Sequence, residues 1–151
     1  MLYFKSPTHE NIKFLPSIFM AGSISNSKDW QEELAELLNI EKEFWLINPR
    51  RDDFDISKKE MSEEQIDWEF KYLNESDAVL FWFAEETLAP ITLYELGKLS
   101  MSKKPLFIGC HPNYQRKFDV EYQTKLIRPE IKVVDNLKDL SIQIIKWIKN
   151  Q

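Results

Sequence analysis

Two carboxylic acids set among apolar residues carry the chemical interest of this chain. Glu95 follows Thr92 by three positions in TLYELG, and Glu69 lies in QIDWEFKYL beside Ile66, Phe70 and Leu73. Thr92 to Glu95 matches T-x-x-E, the capping box in which the glutamate side chain bonds back to the cap amide. That would make Glu95 a local structural group in the first turn of a helix. The same position has a chemical role open to it. A carboxylate at a helix N-terminus is held ionised by the helix dipole and free amides. Facing a cleft, it acts as a nucleophile or stabilises a sugar cation. Spacing alone leaves both roles open. Glu69 falls on an apolar stripe, where a carboxylate needs a partner or a function. Asp67, nearer the start of the same helix, is an equal candidate.

Two further clusters fit binding. Gly22 to Ser27 (GSISNS) follows a strand pattern and precedes a helix, so Ser23, Ile24 and Ser25 supply free amides and hydroxyls suited to a phosphate. The turn is not a P-loop, lacking GK[ST], nor a dinucleotide fingerprint, lacking the second and third glycines. A plain serine-rich helix start reads equally well. Asn48 to Asp53 (NPRRDD) pairs two arginines with two aspartates, either a charged binding loop or solvated surface ion pairs. Two histidines and one cysteine give no metal-ligand spacing. Cys110, ending a strand pattern, reads as a small packed residue rather than a nucleophile.

The elements that must position these groups follow from periodicity. Ser17–Ala21, Phe44–Ile47, Ala78–Phe83, Pro105–Ile108 and Ile131–Val134 are short apolar runs that fit strands covered on both faces. Helices are expected between them. The first starts near Lys28 with Ser27 as cap, and the second runs from Ser62 to Asn74. The third carries Leu93, Leu96, Leu99 and Ser100 on one side. The fourth runs from Asp119 to Leu126, and Leu137–Ile148 closes the chain. Strict alternation implies an α/β three-layer, flavodoxin/Rossmann-like domain with a five-stranded parallel sheet. Counting from Ser17, the expected strand order is 2-1-3-4-5. Residues 1–16 show no clear period and read as an N-terminal extension, with an edge strand at Leu2–Phe4; residues 17–151 form the domain proper. Ligands in such sheets sit beyond the carboxyl ends of the strands, where the Gly22, Asn48 and Ala84–Ile91 loops converge. Gly97 lies inside the third helix, and close approach to the sheet or to a ligand would offset its helix cost.

Composition narrows the classes. The chain of 151 residues carries a net charge of −5, which argues against nucleic-acid binding through a basic surface. No run is long enough to span a membrane, and Met1–Pro16 lacks a secretory signal pattern. A single cysteine excludes an internal disulfide and fits a reducing compartment, so a cytoplasmic protein is expected. No metal or cofactor is expected.

The segment QIDWEFKYLNESDAVLFWFAEETLAPITLYELGKLSMSKKPLFIG, with MAGSIS and NPRRDDFD upstream and HPNYQRKFDVEYQTKLIRPE downstream, resembles the nucleoside 2-deoxyribosyltransferase-like family. The resemblance covers nearly the whole chain after Pro16. It implies a flavodoxin-like fold and a nucleophilic glutamate in the ELG turn, here Glu95. It also implies cleavage or exchange of the N-glycosidic bond of a (deoxy)nucleoside, with water or a second base as acceptor. The family's helix acid falls near Glu69. The AGSI turn is also similar to that of the nucleoside 5′-monophosphate N-glycosidases, which implies that Ser23, Ser25 and neighbouring amides hold a 5′-phosphate or hydroxyl. Asn48, Arg50, Asp53, Thr92, Tyr114 and Gln123 complete the expected substrate contacts. The resemblance implies a small-molecule nucleoside or nucleotide as partner and a homo-oligomer, a dimer or larger. Two positions depart from the family pattern. Phe19 stands where a tyrosine is common, and Ala89 stands where an acid precedes the nucleophile by about one turn. These departures favour the alternative, a module that binds a nucleotide or NAD-derived metabolite without turnover.

Overall fold

The computed structural model describes residues 1–55 and 57–151. Its core is a parallel sheet of five strands: β1 Leu2–Lys5, β2 Ser17–Gly22, β3 Trp45–Asn48, β4 Ala78–Phe83 and β5 Leu106–Cys110. Five helices connect and follow them: α1 Trp30–Leu37, α2 Lys59–Glu75, α3 Pro90–Ser100, α4 Lys117–Ile127 and α5 Leu137–Lys149. β4 is buried at every position, as its unbroken apolar run requires. Side chains alternate along each strand, so one chain feeds two cores. Ile18, Met20, Leu80 and Trp82 pack under α1 and α5. Phe19, Ala21, Phe81 and Phe83 pack under α2, α3 and α4. The molecule is therefore a three-layer α/β sandwich.

The strand order is β1-β3-β2-β4-β5, not the expected 2-1-3-4-5. The four strands common to both keep their relative places, and the difference lies at the edges. Leu2–Lys5 pairs with β3 in register Leu2↔Trp45 to Lys5↔Asn48 and supplies one edge. The fifth strand expected at Ile131–Val134 shrinks to a single bridge, Gly109↔Val134. There Cys110 N donates to Val134 O at 2.8 Å and Val134 N to Ile108 O at 3.0 Å. The groups before Val134 are used elsewhere: Ile131 N donates to Arg128 O at 3.0 Å and Lys132 O accepts from Gln143 Nε2 at 3.0 Å, and a bend follows at Asp135.

α1 and α2 differ from the expected pattern, each for a physical reason. α1 begins at Trp30, capped by Asp29, whose side chain accepts from Glu32 N at 3.2 Å; Ser27 instead donates to the Ser23 carbonyl. α2 buries Gln65, Trp68, Tyr72 and Leu73, while Ile66 (63 %) and Phe70 (61 %) are exposed. The apolar stripe read from sequence is thus rotated by about one residue. The reason is that the N-terminal segment covers this helix: Trp68 Nε1 donates to Thr8 O at 2.7 Å, and Tyr72 Oη donates to Glu10 O at 3.1 Å. Gly97 has open space around it, with nothing within 4 Å of an added Cβ, so close packing does not explain it. At Gly22 the opposite holds, since a Cβ would lie 2.7 Å from the Trp82 carbonyl and against the Trp30 ring. The end of β2 can approach its neighbours only without a side chain.

Candidate active site

The turn after β2 is built from behind. The Ser23 carbonyl accepts three hydrogen bonds, from Trp30 Nε1 (3.0 Å), Ser27 Oγ (3.1 Å) and Gln31 Nε2 (3.3 Å). These fix the turn against α1 and leave Ser23, Ile24 and Ser25 facing a cleft of about 490 Å³. That size suits a small-molecule site. The Ser23 hydroxyl is buried and has no hydrogen-bond partner among the described residues. A buried hydroxyl left unpaired costs stability, so it calls for an explanation.

The opposite wall comes from α3. Pro90 opens this helix, with Ala89 as N-cap in the left-handed region (φ 45°) and no side-chain cap bond. Proline suits the first helical position, where its missing N–H costs nothing. The helix therefore starts two residues before Thr92, and the expected capping box does not form. Glu95 sits in the second turn, with its amide already inside the helix. Its carboxyl group has no hydrogen-bond or ion-pair partner among the described residues, and it lines the cleft. The dipole argument for a permanently ionised Glu95 falls with the cap. Burial, followed by the charge of Glu69, pushes its pKa up from 4.5 to about 7, with Lys98 opposing. The loop entering α3 is pinned by Tyr114 Oη, which donates to Leu88 O at 2.8 Å, and by Ala89 N, which donates to Thr87 Oγ1 at 3.2 Å.

The third wall is α2. Glu69 lines the cleft, and burial raises its pKa against a smaller opposing effect from its bond to Gln65. The charge of Glu69 adds to the rise at Glu95, so the state of one carboxyl group bears on the other. Both carboxyl groups are raised by burial, an arrangement suited to acid–base and nucleophilic work. The rest of the lining is mostly apolar, with Phe19, Phe54, Ile66 and Ile91 prominent. No lysine, arginine or histidine of the described residues takes part.

The expected site residues divide cleanly. Glu95, Glu69, Gly22, Ser23, Ile24, Ser25 and Thr92 converge on the cleft. Asp67 does not; it is exposed on the outer side of α2. Asn48 is buried under β1, donating to Tyr3 Oη at 2.7 Å and accepting from Arg50 N at 2.8 Å. Arg50 reaches back to α1, bonding Gln31 Oε1 (3.1 Å) and Lys28 O (3.1 Å) and pairing with Asp29 (3.3 Å). Asp53 pairs with Arg51 at 2.7 Å on the surface. Tyr114 supports the loop without entering the cleft. Gln123 lies on a separate groove between α3 and α4. Cys110 is packed in the core, where burial pushes its thiol up to about 12. A wider depression of about 750 Å³ lies at the opposite edge of the sheet, around Lys13, Phe14 and Trp147, away from both carboxyl groups.

Residues not singled out from sequence also line the cleft: Phe54, Ser62, Gln65 and Thr87. Gln65 carried a signal, since it precedes Glu69 by four positions, the spacing at which helical side chains meet. Phe54 sits in a polar run and offered none. Among the described residues no cluster of His, Cys, Asp and Glu is arranged to hold a metal, and no helix is long and apolar enough to cross a membrane.

Comparison with known proteins bears on this geometry. Residues 15–114 match the family described as nucleoside 2-deoxyribosyltransferase like, a stretch that contains the whole cleft lining. No curated protein matches the chain.

Proposed function

Since the chain belongs to the nucleoside 2-deoxyribosyltransferase-like family, for which glycosyl transfer is the expected chemistry, we propose that it cleaves or exchanges the N-glycosidic bond of a nucleoside with Glu95 as nucleophile. The observation that carries the proposal is the pairing of Glu95 and Glu69 in one cleft beneath the Ser23–Ser25 turn. The productive arrangement has the charge on Glu95 and the proton on Glu69. Substrate favours that arrangement, because positive charge grows at the anomeric carbon as the base departs. Glu95 forms a bond to C1′ while the C1′–N bond breaks; the electron pair goes to the base nitrogen, which takes the proton of Glu69. Water or a second base then attacks C1′, releases Glu95 and returns a proton to Glu69. Water makes the protein a hydrolase, and a second base makes it a transferase.

The cleft favours a neutral nucleoside over a nucleoside 5′-monophosphate. Two carboxyl groups and no cationic side chain among the described residues make it a poor host for a phosphate dianion. The Ser23 hydroxyl and turn amides suit a sugar hydroxyl instead. Apolar walls at Phe19, Phe54 and Ile91 suit the planar base. Ile66 and Ile91 (65 %) line the cleft yet are exposed, and Phe70 and Tyr94 (73 %) on the same two helices are exposed too, which supports self-association over α2 and α3.

The test mixes nucleosides and nucleoside monophosphates with the protein and with Glu95→Ala, and follows free base by chromatography. Base release from nucleosides by the natural protein, lost at least ~10³-fold in the variant, is the expected result. Equal release by both removes Glu95 from the mechanism. Ligand-induced thermal stabilisation without any base release supports a binding module instead.

A further inference from the structure

Gln65 is almost completely buried, at 3 % exposure. A buried primary amide needs partners for both hydrogens and for its oxygen. Here all three are met. Ser6 Oγ donates to Gln65 Oε1 at 2.6 Å. Gln65 Nε2 donates to the Pro49 carbonyl at 2.8 Å and to Glu69 Oε1 at 2.7 Å. A carbonyl can only accept, so the nitrogen of Gln65 must face Pro49 and the amide cannot be turned end for end. It follows that Glu69 Oε1 is an acceptor whatever the charge on Glu69. In a neutral Glu69 the carbonyl oxygen is the better acceptor, so the bond from Gln65 favours the proton on Oε2, which no group of the described residues engages. Glu69 lines the cleft, so that proton is available there.

We propose that Gln65 is a positioning residue: it reserves Glu69 Oε1 as an acceptor, so that the proton Glu69 gives and regains is carried on Oε2. The role rests on the glycosyl-transfer reading above. As C1′–N breaks and its electron pair moves to the base, the Oε2 proton passes to that nitrogen. Glu69 is left as a carboxylate with Oε1 still bonded to Gln65. The incoming water or base returns a proton to Oε2 in the second half-reaction. Gln65 also steadies the carboxylate that results, which makes Glu69 a readier donor than burial alone would allow. The charged groups facing Glu69 are Glu95 across the cleft, which feels the charge of Glu69, and Lys98 one turn further along α3, which opposes the rise at Glu95; the turn after β2 and Pro49 present none. Ser6 ties the arrangement to the N-terminal strand, a link of 59 positions in sequence.

The experiment measures base release by the full chain, by Gln65→Leu and by Gln65→Glu, across pH and across nucleosides whose bases differ in acidity. Gln65→Leu keeps the size and removes the donors; Gln65→Glu keeps the shape and, once ionised, offers none. Both are expected to lower kcat about 10- to 100-fold for poor leaving bases with little change in KM, and to move the limbs of the pH profile to higher pH. The deficit should shrink for acidic leaving bases, which need less proton assistance. A merely structural glutamine would lower all rates alike and leave the limbs in place. Should Gln65→Leu fail to fold, Gln65→Glu carries the same expectation. An active natural protein with unmoved limbs in a folded variant overturns the role of Gln65 alone; a natural protein that releases no base overturns this role and the glycosyl chemistry together.

Discussion

Replacing Glu95 by glutamine should stabilise the protein at alkaline pH and leave it nearly unchanged at acid pH. The Glu95 pKa rises from 4.5 to about 7 on folding, a difference of about 2.5 units. At 1.36 kcal/mol per unit this is about 3 kcal/mol. The sign follows from linkage. Between pH 4.5 and 7 the folded state binds more protons than the unfolded state, so stability falls as pH rises through that window. Below it the group is neutral in both states and adds no penalty. Above it the full penalty of a buried, ionised carboxylate beside Glu69 is present. Glu95→Gln removes the titration and keeps the shape. For a chain of this size, about 3 kcal/mol corresponds to roughly 6–12 °C in melting temperature. The assay is thermal unfolding of both proteins from pH 4.5 to pH 8.5. The melting curves should separate progressively above pH 5, with the variant the more stable. A separation that is constant with pH, or a variant less stable at pH 8.5, would refute the assignment of Glu95 as a half-buried group facing a second carboxyl.

Two other outcomes follow from the same geometry. Ser23→Ala removes a buried hydroxyl that has no partner; unfolding in urea should show it neutral to stabilising by about 1 kcal/mol, while KM for nucleoside rises severalfold. Phe70→Glu with Tyr94→Glu places charge on the exposed apolar face beside the cleft, and light scattering should show a smaller assembly than the natural protein; an unchanged mass in both would remove this face from self-association.

The sheet was legible because its information is local. β4 is an unbroken apolar run, and such a run is stable only between two covered faces. The alternation of strands and helices then implies the layers and the side on which loops gather. Helix starts were less legible, because at α3 a local cap signal was overridden by a proline two residues earlier. T-x-x-E predicted a cap at Thr92, but the helix starts at Pro90, whose ring is already set for the first helical turn. The stripe on α2 misled for a different reason. Ile66 and Phe70 look like core, yet the core face is taken by Gln65, Trp68 and Tyr72, which need the N-terminal segment to complete them.

The amino-acid order by itself determined the α/β class, the edge at which the candidate site lies and the candidacy of Glu95 and Glu69, since each rests on short local patterns. Tertiary structure alone decided their chemical state. Desolvation and the charge of a neighbour from another helix raise Glu95, and neither quantity exists until α2 and α3 are packed. It also separated Arg50 and Asp53, which hold loops together, from Gln65, whose partners Ser6, Pro49 and Glu69 come from three parts of the chain. Hydrogen bonds and burial between distant segments are properties of the packed molecule, and no local spacing encodes them.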